Sequence, residues 1–174
     1  MRTLRLAVAL AGVLLVSVPA VASARADWVQ GALADQYELG SSLPLRNAPW
    51  VGTHNSFNSV AEMSPTLSDL DSNQQIKIVD QLDLGVRSIE LDLHWIPSLS
   101  PYGGFSPVVC HGTDKHVGCS IEKPLGPVLD EIGGWLREPE HRDQVLLLYL
   151  EDHLDNATGY DTAAATVEQK LGDL

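Results

Sequence analysis

Four places along the chain carry side chains able to do chemistry: His54-Asn55, Glu90-x-Asp92, His111 and Glu151-Asp152. The oxygen donors of Asn55, Glu90, Asp92 and Glu151 suit a hard divalent cation, calcium first and magnesium second. On a strand, Glu90 and Asp92 project from the same face, because alternate side chains point the same way. Two carboxylates aimed together repel unless a cation or a proton lies between them. His54 and His111 then bracket the cation as proton-transfer groups, a role suited to imidazole with its unperturbed pKa of about 6.5. Each residue alone also has a plainer reading: a structural histidine, a solvated strand face, or a carboxylate that ends a strand before Asp152 and His153 open a loop. The plain readings weaken jointly, since four strand ends would have to carry such residues by accident.

These residues need elements to hold them. Residues 48–53 form a short apolar run ahead of His54, and residues 27–47 read as a polar surface lead-in. Residues 58–73 are rich in Ser, Asn and Asp and read as a loop. Ile76, Val79 and Leu82 give a helical period over 74–84, stopped by Gly85. Residues 86–93 alternate, with Ile89 and Leu91 on the face opposite Glu90 and Asp92, and predict a strand. Val108-Val109-Cys110 is a brief strand leading into His111, after a Pro/Gly/Ser loop over 98–106. Leu125, Val128, Leu129, Ile132, Trp135 and Leu136 share one face of a helix over 124–138. The apolar run 144–150 suits a strand covered on both faces, as in parallel sheets. An alanine-rich helix follows over 162–171.

Strands alternating with helices predict an α/β fold of repeated βα units. The chemically capable residues recur at the C-terminal ends of successive strands. That is where a TIM (β/α)8 barrel builds its site, whereas an open doubly wound sheet uses a single switch point. A full barrel takes about 250 residues, so residues 27–174 are expected to be the N-terminal part of a truncated barrel.

The 174 residues carry 23 acidic against 11 Lys and Arg, a formal net charge of -12. Non-specific nucleic-acid binding needs a cationic face and is disfavoured. With 44% apolar and 20% charged residues, the chain is not composed like a disordered one. No run of about 18 apolar residues occurs, which excludes a spanning helix. Arg2 and Arg5, the apolar stretch 6–18 and the small residues Ala22-Ser23-Ala24 and Ala24-Arg25-Ala26 predict a secretory signal peptide over 1–26. Export makes Cys110 and Cys119 candidates for a disulfide, two free thiols being the alternative.

Trp50-Val51-Gly52-Thr53-His54-Asn55-Ser56-Phe57, Gln81-Leu82-Asp83-Leu84-Gly85-Val86-Arg87-Ser88-Ile89-Glu90-Leu91-Asp92, Val109-Cys110-His111-Gly112 and Leu147-Leu148-Tyr149-Leu150-Glu151-Asp152-His153 stand in an order and rough spacing that resemble the X-region of phosphatidylinositol-specific phospholipase C. The resemblance spans about residues 48–155, and the Asn after the first His and the Glu-x-Asp pair are similar to the calcium-dependent enzymes of this superfamily of phosphodiesterases. It implies a secreted TIM-barrel phosphodiesterase acting on a phospholipid, phosphatidylinositol first, at a membrane surface. It further implies calcium held by Asn55, Glu90, Asp92 and Glu151, with His54 near the attacking hydroxyl and His111 protonating the leaving oxygen. Cleavage on the glycerol side would pass through a cyclic inositol phosphate. The calcium-independent bacterial enzymes place an Arg where the metal sits; here Leu93 and His94 follow Asp92. His94-Trp95 departs from the family's pattern, as does the Cys110 to Cys119 segment around His111. A glycerophosphodiester phosphodiesterase or sphingomyelinase D-like enzyme on the same barrel is the second reading, although the first of these usually has Arg-Gly after its first His where Asn55-Ser56 stands here. A non-catalytic lipid- or calcium-binding fragment is the third.

Overall fold

A computed structural model describes residues 20–97, 104–119 and 122–174. Residues 1–19, most of the expected signal peptide, lie outside the described residues. The elements run α1 (Ala20–Gly40), β1 (Gly52–Thr53), α2 (Pro65–Asp71), α3 (Ile78–Asp83), β2 (Ser88–Pro97), β3 (Phe105–Val109), β4 (Lys123–Pro124), α4 (Leu125–Arg137), β5 (Leu147–His153) and α5 (Ala157–Leu171).

Strand β2 organises the sheet. It pairs in parallel with β5 over Ser88–His94 and with β1 over Ser88 and Ile89. It pairs antiparallel with β3 over Leu93–Pro97. Because β5 occupies one edge of β2 from Ser88 to His94, β1 and β3 share the other edge, one at each end. Strand β4 extends the sheet beyond β3.

Alternation along β2 separates two environments. Ile89, Leu91 and Leu93 are buried against Leu82 of α3, Leu125, Leu129, Ile132 and Trp135 of α4, and Ala163 of α5. The apolar residues of α4 recur at helical spacing, so one stripe faces the sheet and the other side faces water. Trp135 also donates from its indole nitrogen to Asp83 Oδ1 at 2.8 Å, tying α4 to α3. The Arg87 guanidinium lies 4.9 Å over the same ring. Helix α5 starts at Asn156, whose side chain accepts from the Gly159 amide at 3.0 Å. Gly159 lets this turn press on Trp95: a Cβ there would sit 3.0 Å from the indole and 2.5 Å from the Leu154 carbonyl.

The other face of β2 carries Glu90, Asp92 and His94, and beside it β5 presents Tyr149, Glu151 and His153 in register. This face is partly open, with Leu147 and Tyr149 about half exposed.

The α/β class follows the sequence, but several expectations change. The sheet is not closed, and these residues do not show a barrel. Strand β3 is not a parallel barrel strand. Strand β2 runs past Asp92 to Pro97, so Glu90 and Asp92 lie within it and not at its end, and β3 pairs antiparallel with its far part. Strand β5 starts and ends about three residues later than the apolar run, and its open face contradicts a strand covered on both sides. The lead-in over 27–47 is largely the helix α1. The loop over 58–73 contains α2, started by Ser64 as N-cap and Pro65 in the first turn.

Leu129 is fully buried where α4 meets the sheet. Leu129→Ala should cost about 2–5 kcal/mol and lower the midpoint of thermal unfolding followed by circular dichroism. Leu70→Ala, at a largely exposed position, should change stability by no more than roughly 0.5 kcal/mol. Equal midpoints for the two variants would refute this assignment of the core.

Candidate functional site

The chain leaves β1 into a turn built from buried polar groups. Ser56 donates its amide to the Glu90 carbonyl at 3.1 Å and accepts from the Glu90 amide on Oγ at 2.9 Å. Gln81 of α3 donates to the carbonyls of Ser56 at 2.8 Å and Ile76 at 2.9 Å. Ser56, Ser59, Asn58, Asn55 and Gln81 are all buried. Buried polar groups are tolerable where they are paired, and a satisfied network fixes one conformation. The network therefore locks the His54-Asn55 turn to the backbone of Glu90.

On that frame His54 Nδ1 pairs with the Glu90 carboxylate. The Asn55 amide also donates to Glu90 Oε2, at 3.0 Å. Asn55 has a positive φ of 46°, an uncommon conformation that is more accessible to Asn than to most residues. Its side-chain amide lies 2.8 and 2.9 Å from the two oxygens of Asp92. One amide orientation directs an N–H at the carboxylate, and the other gathers oxygens as a cation would require.

Glu151 lies opposite Asp92 in the parallel register, but its Oε1 accepts from His153 Nε2 at 2.9 Å. Burial foremost, then the neighbouring Glu151 and Glu90, push the Asp92 carboxyl up to about 6, against the opposing pull of His111 and His153. Of the four expected metal ligands, Glu90, Asp92 and Glu151 share one sheet face and Asn55 reaches Glu90 and Asp92 from the turn after β1, while Glu151 turns toward His153. Among the described residues, the three-residue group of His, Cys, Asp or Glu ligand atoms that falls within 4.8 Å is His94 with Cys110 and Cys119. The three carboxylates do not close to that spacing.

His111 reaches this region because β3 runs antiparallel to β2 and ends beside Asp92. Cys110, just past β3, donates its amide to the Asp92 carbonyl at 3.2 Å, so the next residue emerges beside the acidic pair. His111 Nδ1 lies 2.8 Å from Asp71 Oδ1. Asp71 ends α2, where Asn58 Nδ2 donates to its carbonyl at 2.6 Å. The turn that carries His54 and Asn55 therefore also holds the carboxylate that orients His111. The disulfide Cys110–Cys119 closes the loop after His111, as the pairing expected from export requires.

Sequence reasoning missed Asp71, and it missed a set of three further histidines. His94 Nδ1 lies 2.8 Å from His116 Nδ1, whose Nε2 lies 2.7 Å from Asp155 Oδ2. His153 stacks on His94 with centroids 4.6 Å apart. Burial first, then the His153 and His116 rings, lower His94 to about 4, so it is uncharged at neutral pH. His116 and Asp155 share positive φ values of 59° and 65°. Such conformations cost about 1–3 kcal/mol and collect at functional sites. The Ser64-Pro65 start signal was available for finding α2; nothing local announced the histidine set.

A cavity of about 200 Å³ lies elsewhere, lined in part by Leu33, Tyr37, Trp50, Arg87 and Val145. These residues sit at or before the N-terminal ends of the strands, away from the carboxylates. No helix of the described residues is long and apolar enough to cross a membrane.

The Rv2075c PI-PLC-like domain matches residues 11–173. Two relatives from Mycobacterium tuberculosis, the uncharacterized proteins Rv2075c (strain ATCC 25618 / H37Rv) and MT2135 (strain CDC 1551 / Oshkosh), are each 46% identical over 147 residues, covering 83% of this chain. The chain spans 30% of the length of these curated relatives. No solved structure matches it.

The raised Asp92 carboxyl makes a pH prediction. Its folded pKa of about 6 exceeds the ordinary 3.8, so between these values the folded state binds more protons than the unfolded one. Stability in chelator should therefore fall as pH rises from about 4 to 6. Asp92→Asn should flatten that fall and raise the thermal midpoint at neutral pH. A fall that persists undiminished in the variant would place its origin elsewhere.

Proposed function

We propose, for a chain that belongs to the Rv2075c PI-PLC-like domain family, that it supplies the ion-binding and proton-transfer half of a secreted phosphoric diester hydrolase of phospholipase C type. The observation that carries this reading is the gathering of Glu90, Asp92 and Glu151 on one face of two parallel strands, with Asn55 on the turn after β1 and two carboxylate-bound histidines beside them. The reading extends to a (β/α)8 barrel. Strands β1, β2 and β5 stand side by side in chain order and run parallel, and the open face with Leu147 and Tyr149 is the one a barrel would enclose.

The residues suit calcium. Burial first, and two neighbouring like charges after it, raise the pKa of Asp92, and the Asn55 amide can turn its oxygen toward the same point. A hard cation with oxygen ligands relieves both conditions. Asn55, Glu90, Asp92 and Glu151 would hold it. Bound calcium would neutralise phosphate charge and lower the pKa of a coordinated hydroxyl.

The protein's own groups do the rest. Glu90 holds Nδ1 of His54, leaving Nε2 to take a proton from the attacking hydroxyl. Asp71 holds Nδ1 of His111, leaving Nε2 to give a proton to the leaving glycerol oxygen. With phosphatidylinositol, an inositol hydroxyl attacks the phosphorus, the bond to the glycerol oxygen breaks, and diacylglycerol leaves behind a cyclic inositol phosphate. Export through residues 1–26 is part of the proposal, supported by the basic and apolar pattern there and by a disulfide of the kind that persists in oxidising compartments.

The test uses the full-length protein on phosphatidylinositol vesicles, with products followed by phosphorus NMR. Cyclic inositol phosphate should form with calcium and not in chelator. His54→Ala and His111→Ala should each lower turnover by about 10²–10⁴-fold. Asp71→Asn should act in the same direction more weakly, with little change in KM. Equal turnover in chelator would remove the cation from the mechanism. Phosphate left on the lipid would replace this reaction with head-group removal.

A further inference from the structure

We infer that His153 is a positioning residue for Glu151: its ring holds one carboxylate oxygen so that the other is presented to the cation. The inference rests on the reading of Glu151 as a calcium ligand. Glu151 Oε1 accepts from His153 Nε2 at 2.9 Å, which leaves Oε2 for the ion. A ligating carboxylate is usually hydrogen-bonded in turn, and that outer partner fixes its direction. A glutamate held this way gives up its rotamer freedom before the ion arrives.

The ring can hold Glu151 because it is itself fixed. In the parallel register of β2 with β5, Asp92 stands opposite Glu151 and His94 stands opposite His153. The carboxylate pair and the histidine pair are therefore consecutive rungs on one face of the sheet. The two imidazoles stack with centroids 4.6 Å apart and planes 17° from parallel. His94 is fully buried. Its Nδ1 meets His116 Nδ1 at 2.8 Å, and His116 Nε2 meets Asp155 Oδ2 at 2.7 Å. The string Asp155, His116, His94, His153, Glu151 thus leaves the turn after β5 and returns to β5 through the loop after His111 and through β2.

The second nitrogen decides between holding and proton transfer. His153 Nδ1 lies 3.1 Å from Asp114 Oδ1, so both ring nitrogens face carboxylate oxygens and neither is left to exchange a proton with substrate. Asp114 is 93% exposed, and water screens that contact, so it adds little to the ring's fixity. The stack on His94 is what sets the ring. A ring that only filled space would need the stack alone, which phenylalanine also provides.

The test is calorimetric titration of calcium into the full-length protein, with circular dichroism of each variant. His153→Phe keeps the stack and loses the hydrogen bond. It should weaken calcium binding by about 10–100-fold with unchanged secondary structure. Glu151→Gln should weaken binding by itself, and adding His153→Phe to it should cost nothing further, because the histidine acts only through that carboxylate. In the unsubstituted protein, calcium should shift the ring resonances of His153 in nitrogen NMR and leave those of His141, stacked on Trp135, in place. Binding that His153→Phe leaves unchanged or tightens, losses that add in the double variant, or a His153 resonance that calcium does not move would each overturn the inference and leave the calcium site standing. No calcium binding by the unsubstituted protein, or binding indifferent to Glu151→Gln, would remove Glu151 as a ligand and overturn the inference with it.

Discussion

The arrangement depends on a repulsion. Glu90, Asp92 and Glu151 stand on one face of two neighbouring parallel strands, and burial first, then the two like charges, raise the Asp92 carboxyl. Like charges at such separations are kept together only by a rigid frame. The frame is the apolar opposite face of β2, where Ile89, Leu91 and Leu93 are buried under α3, α4 and α5. Hydrophobic burial on one side thus sustains electrostatic crowding on the other. Histidines and the Asn55 amide moderate the crowding without abolishing it.

The division was legible in the chain because it has period two. Alternation across residues 88–93 separates Glu90 and Asp92 from Ile89 and Leu91 without reference to anything distant. Helices α3 and α4 were legible for a similar reason, their apolar residues recurring at helical spacing. Two departures came from geometry that no local pattern encodes. The antiparallel return of β3 depends on β2 continuing to Pro97, and Trp95 and Ile96 serve a long strand as well as a loop start. Strand β5 begins at Leu147, past the half-exposed Val145; apolar composition marked the segment while pairing with β2 set its register.

The groups that orient the histidines were illegible for another reason. Asp71 meets His111 across 40 positions of sequence, and its only local announcement is a short capped helix. His94, His116 and His153 lie on three different segments and meet through the register of β2 with β5 and the loop closed by Cys110–Cys119. A histidine in sequence carries no sign of whether its partner is a carboxylate, another ring or a sulfur. Side-chain types named the chemistry, and the topology decided which of them share it.

The pairing of β2 with β3 sets a level. It runs from Leu93 with Val109 to Pro97 with Phe105, and it fixes how far the chain has returned when Cys110 meets the Asp92 carbonyl. A slip of one residue in that pairing would turn every β3 side chain to the opposite face. Substitutions along these two strands are therefore free only so far as they leave the ladder's count of steps unchanged, because one step decides which side of the sheet His111 looks out upon.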